Sequence, residues 1–409
     1  MGAGHSHDID PERMAGLVNQ RAKTVLIAFL AVVGLAAIVG MVALWPSQVK
    51  LDAVASKVKY AAPGVSFEKA TITGFDDPCP SQSEVPAEKR YPCRHAAIEL
   101  TTGNESGSAE HVELLGPPTQ AGLRVGDGIQ VMRIPAEPTP IYSYFGVERT
   151  GIIWVMLAVF VVAVLAVARW RGFWALVGLV FSGAVLFVWM LPALAIGESG
   201  LLVGAVGSVA IMFVVLYVAH GVSLRTSSAL AGTLIGVAIS TGLGAVAVWF
   251  GRLSGYVDEA EFDLAAAVPG LNFRELLIAA MIVAGLGVLN DVTITQSSSV
   301  YELRAAAPEL SCRRIFASGM RIGRDHIAST IYTIVFAYAG AALSVLMLLY
   351  FYDQPLVDLL ATEQFGTEVL RTLASATGLV LAVPITTGIA ALTLKPGTVD
   401  LASEPHADH

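Results

Sequence analysis

The sequence predicts a mainly α fold: a polytopic helical membrane bundle of about eight spans, with a small β-barrel-like domain of the OB or SH3 kind inserted between the first and second. Three observations predict it. Hydrophobic residues make up 55% of the 409 and charged residues 14%, with mean hydropathy +0.66, beyond the range of water-soluble globular chains. The apolar residues gather into eight continuous runs, each long enough to cross roughly 30 Å of hydrocarbon. Between the first two runs, residues 46–149 change character to short apolar segments punctuated by glycine and proline.

The chain opens on a polar stretch, residues 1–24, that reads as a disordered cytoplasmic N-terminus. His5, His7, Asp8 and Asp10, like Glu404, His406, Asp408 and His409 at the other end, match no closed ligand spacing, so no metal and no cofactor is expected. The first apolar run, residues 25–44, lacks a small-residue cleavage site and is followed by Trp45-Pro46, an interfacial anchor and then a break; it reads as a retained signal anchor.

Residues 46–149 read as an extracytoplasmic β-rich domain. The strand-like runs are Val65 to Ile72, Ala96 to Leu100, Val112 to Leu115 and Leu123 to Ile134, with Gly126-Asp127-Gly128 as a tight turn before a final strand. Cys79 and Cys93 lie in this exported segment, flanked by Pro78, Pro80 and Pro92, and an oxidising exterior favours a disulfide between them over two reduced thiols; Cys312 falls in a cytoplasmic loop. Small barrels of this kind bind oligomers through their loops or act as adaptors; with no aromatic platform or cluster of like charge, the adaptor role, docking an envelope protein, is the favoured one.

The remaining runs lie near 150–168, 172–195, 200–219, 227–250, 275–296, 327–350 and 372–394 and make a seven-helix membrane domain over 150–394, followed by a disordered cytoplasmic tail, 395–409. Continuous runs mean helices, since lipid-facing strands alternate at period two. Gly200-xxx-Gly204 and Gly232-xxx-Gly236, continued by Gly242 and Gly244, are sites of close helix approach. The net charge of −8 argues against nucleic acid. The positive residues separate by side: Arg13, Arg21, Lys23, Arg169, Arg171, Arg225, Arg304, Arg313, Arg314, Arg321, Arg324 and Lys395 on one, and only Arg252, Arg274 and Arg371 in the short loops of the other. That asymmetry puts both termini in the cytoplasm and residues 46–149 outside.

The chemistry concentrates in the sixth run. Asp291 lies about 24 Å along a helix starting near Glu275, inside hydrocarbon, where a central Asp costs about 2.5 to 3.5 kcal/mol and is expected to face the bundle interior or water. Beside Asn290, it begins a row at three- and four-residue intervals, Asp291, Thr295, Ser298 or Ser299, and Glu302, that lines one helix face. Such oxygens suit a hard cation or a proton relay. The plainer reading, in which the hydroxyls bond backbone carbonyls and Glu302 sits among headgroups, covers the row but leaves Asp291 unexplained. Charge partners are sought in His220 and Arg225 between spans four and five, and in Arg321, Arg324, Asp325 and His326 leading into span seven; anchoring at a membrane face explains the same arginines.

At these residues the chain resembles the YibE/F-like family of bacterial multispan membrane proteins. The resemblance rests on GVLNDVTITQSSSVYELR, supported by HGVSLRTSSALAGTLIG and RIGRDHIASTIYTIVFAYAGA, and covers nearly the whole chain after residue 24. The chain departs from a looser family pattern at Asn290, where that pattern has Met, and at His326, where it has a nonpolar residue. The resemblance implies a multi-pass protein of the bacterial plasma membrane and carries no activity with it.

From the residues themselves, the leading expectation is a secondary transporter or permease for an ion or small solute, with Asp291 as the coupling site and the Ser/Thr row as path. No G-x-x-x-x-G-K-[ST] loop is present for ATP-driven action. The alternative is a non-transporting sensor or scaffold whose outer domain docks an envelope partner. An enzyme is disfavoured, since H-E-x-x-H, G-x-S-x-G and a second membrane Asp are all missing.

Overall fold

A computed structural model describes residues 17–56, 64–76, 79, 81, 86, 91–257, 259–268, 270–351 and 355–397. The histidines and carboxylates considered at the two termini, and Arg13, lie outside them. The chain divides into two units, Lys59–Val167 and Met1–Val58 with Ala168–His409.

The first unit holds five antiparallel strands: β1 (Ser66–Asp76), β2 (Cys93–Leu100), β3 (Ala109–Leu115), β4 (Gly128–Ile134) and β5 (Ile141–Val147), in the order β3-β2-β1-β4-β5. Alternation sends Ala70 and Ile72, Ile98 and Leu100, Val112 and Leu114, and Ile129 and Val131 to one face, where they form the core. The sheet curls until β3 and β5 approach, giving a half-barrel without a closing ladder instead of the expected closed barrel. Gly126, at φ 96, turns the chain into β4, and Asp127 Oδ2 accepts the Arg124 N–H at 2.7 Å. That strand is the penultimate one; the sequence reading missed β5, whose alternation is blurred by Tyr142, Ser143 and Tyr144. A disulfide joins Cys79 to Cys93, Cα to Cα 6.2 Å. At one end of the core the Tyr142 hydroxyl donates to Glu105 at 2.6 Å and Arg133 donates to the same carboxylate at 3.2 Å. Burial, then the bond to Glu105, pushes Tyr142 up to about 12.

The second unit begins with α1 (Gln20–Ala43) and α2 (Gln48–Ala55), the latter helical although the sequence placed residues 46–149 in a β-rich domain. α3 (Thr150–Ala184) starts in the first unit, breaks at Arg169, where φ is 51, and runs on through a π-helical turn, Val185–Met190, to Ala195. Then come α4 (Gly200–His220), α5 (Leu224–Phe250), α6 (Glu259–Ala267), α7 (Phe273–Ala284), α8 (Leu286–Ala306), α9 (Cys312–Ala341), α10 (Leu343–Phe351), α11 (Leu356–Leu360) and α12 (Glu363–Leu392). Capping fixes several starts: Ser223, Asn272 and Ser311 accept the N–H of Thr226, Glu275 and Arg314. The first described residues are also tied down, with Lys395 N–H donating to Leu17 O at 2.6 Å and Asn19 N–H to Thr393 O at 2.9 Å.

Among the described residues six helical runs are long and apolar enough to cross a membrane: Gln20–Ala43, Thr150–Ala195, Gly200–His220, Leu224–Phe250, Phe273–Ala306 and Glu363–Leu392. The sequence reading counted eight. The runs expected at 150–168 and 172–195 are two helices that meet at the non-helical Arg169 and count as one run above, and the run at 327–350 is split between α9, whose first half is polar, and α10.

α5, α8 and α12 form the middle of the bundle, and glycine sets their spacing. A methyl on Gly232 would strike Thr386 of α12, one on Gly236 would meet Leu289 of α8 and Ala382, and one on Gly378 would strike Ser240 of α5. Gly200 and Gly204 give the same close approach to α7, whereas Gly242 has nothing within 4 Å. In lipid, where apolar burial gives helices no reason to associate, such backbone proximity supplies the packing contacts.

Candidate functional site

α7 and α8 form one span interrupted at Gly285, whose N–H turns to Val283 O and leaves the regular ladder for one step. Beyond this break α8 is polar on two faces, and the faces have different surroundings.

The inward face carries Thr293, Gln296, Ser297 and Tyr301, themselves at three- and four-residue spacing. Thr293 Oγ1 lies 2.5 Å from Thr233 Oγ1 of α5. Gln296 Nε2 donates to Gly319 O of α9 at 2.7 Å and to Thr387 Oγ1 of α12 at 2.8 Å. Ser297 Oγ donates to Arg225 O at 2.7 Å, and the Tyr301 hydroxyl sits 2.9 Å from Thr393 Oγ1. Arg304 is fully buried and donates to Pro308 O at 3.1 Å and Leu310 O at 2.7 Å, so it staples the turn into α9 instead of anchoring at a surface. None of these side chains belonged to the sequence-derived site, although their spacing was visible in the same stretch.

The outward face holds the row that the sequence singled out. Asp291 and Glu302 are exposed, Thr295, Ser298 and Ser299 half-buried. Asp291 therefore does not point into the packed interior. Thr295 Oγ1 donates to Asp291 O at 2.8 Å and Ser299 Oγ to Thr295 O at 2.9 Å, so these hydroxyls bond their own helix. Asn290 is half-buried, and its Oδ1 has no hydrogen-bond partner among the described residues. Depth follows from the bond between Ser297 and Arg225, which levels Ser297 with the first turn of α5; Asp291 lies six residues, about 9 Å, further into the bundle.

Of the expected charge partners, His220 at the end of α4 is within electrostatic range of Asp291, Arg225 and Arg171. Arg321, Arg324 and Asp325 are exposed on α9, His326 is half-buried, and among the described residues no salt bridge joins any of them to Asp291. Among the same residues, no group of three or more His, Cys, Asp or Glu is arranged to hold a metal.

A family model described as YibE/F-like protein matches residues 156–396, more than half of the chain and all of the site. The chain belongs to the YibE/F-like family. The match starts beyond the half-barrel, so it covers the helices from within α3 to α12 and not the nearly whole chain that the resemblance suggested. No curated protein and no solved structure matches the chain. Membership and the six apolar helical runs together make this a multi-pass membrane protein of the YibE/F-like family.

Proposed function

We propose that this YibE/F-like protein is a secondary transporter for an ion or small solute, and that the outward face of α8 lines its path. The observation that carries the reading is Asp291, a carboxylate exposed on a membrane-spanning helix about 9 Å inside the level of Ser297. Lipid against that carboxylate is costly, whereas a water-filled cleft is not, and Thr295, Ser298 and Glu302 continue the same polar face to the helix end. Arg225, in the first turn of α5 and level with Ser297, supplies positive charge at that end of the face. In the same reading the arginine asymmetry puts the termini in the cytoplasm of a bacterial plasma membrane, and α3 crosses twice and α9 with α10 once to make eight spans.

The test is flux in liposomes loaded with a pH-sensitive dye, with imposed gradients of candidate ions, for wild type, Asp291→Asn and Glu302→Gln. Loss of flux in Asp291→Asn with folding intact supports the carrier. No flux in wild type for any ion, with the variants indistinguishable from it, sinks the reading for those substrates.

A second reading, a sensor or scaffold whose half-barrel docks an envelope protein, is favoured by one feature. Phe67 and Phe145, both exposed, lie with ring centroids 4.7 Å apart and planes tilted by 58°.

A further inference from the structure

A groove of about 650 Å³ runs between α1, α4, the start of α5 and the part of α3 beyond Arg169. Its lining is apolar except at one end, where the Tyr217 hydroxyl and Ser227 Oγ lie 3.0 Å apart. On α1 the lining runs from Ile27 to Met41, about 21 Å of helix rise, longer than one leaflet of a roughly 30 Å hydrocarbon core. Ile27, Leu35 and Ile38 are exposed along this edge, so the groove is open on the α1 side.

Glycine contacts set the level of each helix at the groove's polar end. Gly34 faces Phe213 and Gly40 faces Val206, so α1 runs antiparallel to α4; Gly178 faces Val215 and Gly207 faces Met190, so α3 does the same. Counted from these contacts, Lys23 and Arg171 both come level with the end of α4, just past Tyr217. Lys23 precedes Ile27 by four residues and continues the groove face of α1 by one turn. Arg171 precedes Gly178 by seven, on the side of α3 that meets α4. Arg171, Arg225 and Asp291 are all within electrostatic range of His220 at the end of α4. Among the described residues neither Lys23 nor Arg171 has a salt bridge, so this end of the groove sets Lys23, Arg171 and Arg225 against the single carboxylate of Asp291.

We propose that this groove binds one anionic glycerophospholipid, with an acyl chain along α1 and its phosphate between Lys23 and Arg171. The site goes beyond the transport reading and does not depend on it.

The chemistry of the groove selects the class. A wall with no charged side chain suits a hydrocarbon chain and offers a water-soluble phosphate ester nothing to bond beyond the mouth. In a bilayer, moving a chain from other lipid into the groove gains only packing, so preference for one lipid has to come from its headgroup. Basic pockets between spans supply that preference, each Lys or Arg near an anionic headgroup being worth about fivefold in affinity. The Arg171 guanidinium can bond two phosphate oxygens at once, while Lys23 acts as a point charge.

The experiment is thermal unfolding of the purified full-length protein in dodecyl maltoside, titrated with phosphatidylglycerol, with phosphatidylcholine of the same chains, and with inorganic phosphate. A ligand that binds only the folded state raises the midpoint with its concentration. Wild type is expected to respond to phosphatidylglycerol at about twentyfold lower concentration than to phosphatidylcholine, two cations at about fivefold each, and not to respond to inorganic phosphate. Lys23→Gln and Arg171→Gln each weaken the response to phosphatidylglycerol about fivefold and leave that to phosphatidylcholine unchanged. Both keep the midpoint in detergent alone, since neither breaks a salt bridge among the described residues. Ala31→Phe, which fills the groove from its exposed α1 edge, weakens the response to both lipids. Arg313→Gln removes a positive charge on α9, away from the groove, and leaves the preference as it is. A wild type that responds to the two lipids alike overturns the site, as do Lys23→Gln and Arg171→Gln proteins that keep the full preference. So does an Arg313→Gln protein that loses as much of it as they do, which marks diffuse charge. Inorganic phosphate raising the midpoint as phosphatidylglycerol does overturns it too, leaving an anion site without a lipid.

Discussion

The two faces of α8 are built from the same kinds of residue and do opposite things. On the inward face Thr293, Gln296, Ser297 and Tyr301 each reach another helix or the α4–α5 turn region, and the bonds tie α8 to α5, α9 and α12. On the outward face Thr295 and Ser299 bond back to their own helix, and Asp291 has no salt bridge among the described residues. Interhelical bonds in membranes contribute modestly, about 0.6 kcal/mol on average, so the inward set specifies register as much as it adds stability. A polar residue inside a span is thus not by itself a functional residue; what separates the two kinds is whether its hydrogen-bonding capacity is used by a neighbour.

The sharpest break of that contrast is Gly323→Leu. Gly323 faces Val383 and the Gln296 amide with no room for a side chain, so overpacking here is expected to cost about 3 kcal/mol, read as loss of monodisperse protein and a lower unfolding midpoint. Asp291→Asn comes next and reverses the pattern. Flux should fall at least about tenfold, while stability stays within about 0.5 kcal/mol of wild type, because no packed partner is lost. Gln296→Leu should lower stability by about 1 kcal/mol without a matching change in flux per folded molecule, since it removes the amide that donates to both the Gly319 carbonyl and Thr387 Oγ1, while Thr387 keeps its bond to Val383 O. If Gln296→Leu removed flux and Asp291→Asn did not, the roles of the two faces would be exchanged.

The smallest effect lies away from α8, in the half-barrel. Bonds from Thr150, Lys69 and Gln130 hold Glu148 well below the ordinary carboxylate range, at about 2. Its contribution is fully present above about pH 4.5 and is lost as pH falls towards 2, so Glu148→Gln should flatten the acid limb of unfolding between those values. Solvent screening keeps that effect small, and acid titration of the midpoint for both proteins checks it.

Much of this was legible in residue order. Four of the five strands follow the alternating runs, and β5 escaped because its aromatic residues alternate with serine and glycine too weakly to mark a face. The close-approach glycines were correctly placed at 200, 204, 232 and 236 and not at 242, because repetition at four residues marks a helix face but not whether a neighbour lies on it. The sequence reading set its candidate site on one polar row of the stretch from Asn290 to Glu302. Its second polar row went unread, since Thr, Gln, Ser and Tyr at helical spacing look alike whether they face a partner helix or open space.

Composition and run length by themselves determined a helical membrane protein with a β insert, because the price of backbone polar groups in hydrocarbon leaves few alternatives. They also placed a carboxylate inside a span. Only the tertiary structure decided which side of α8 that carboxylate occupies and that Ser375, distant in sequence, lies beside the break at Gly285 with its hydroxyl unbonded among the described residues. The reason is that period and hydropathy fix a residue's angle around its own helix, while the neighbours that fill or leave open that angle are set by how the helices pack.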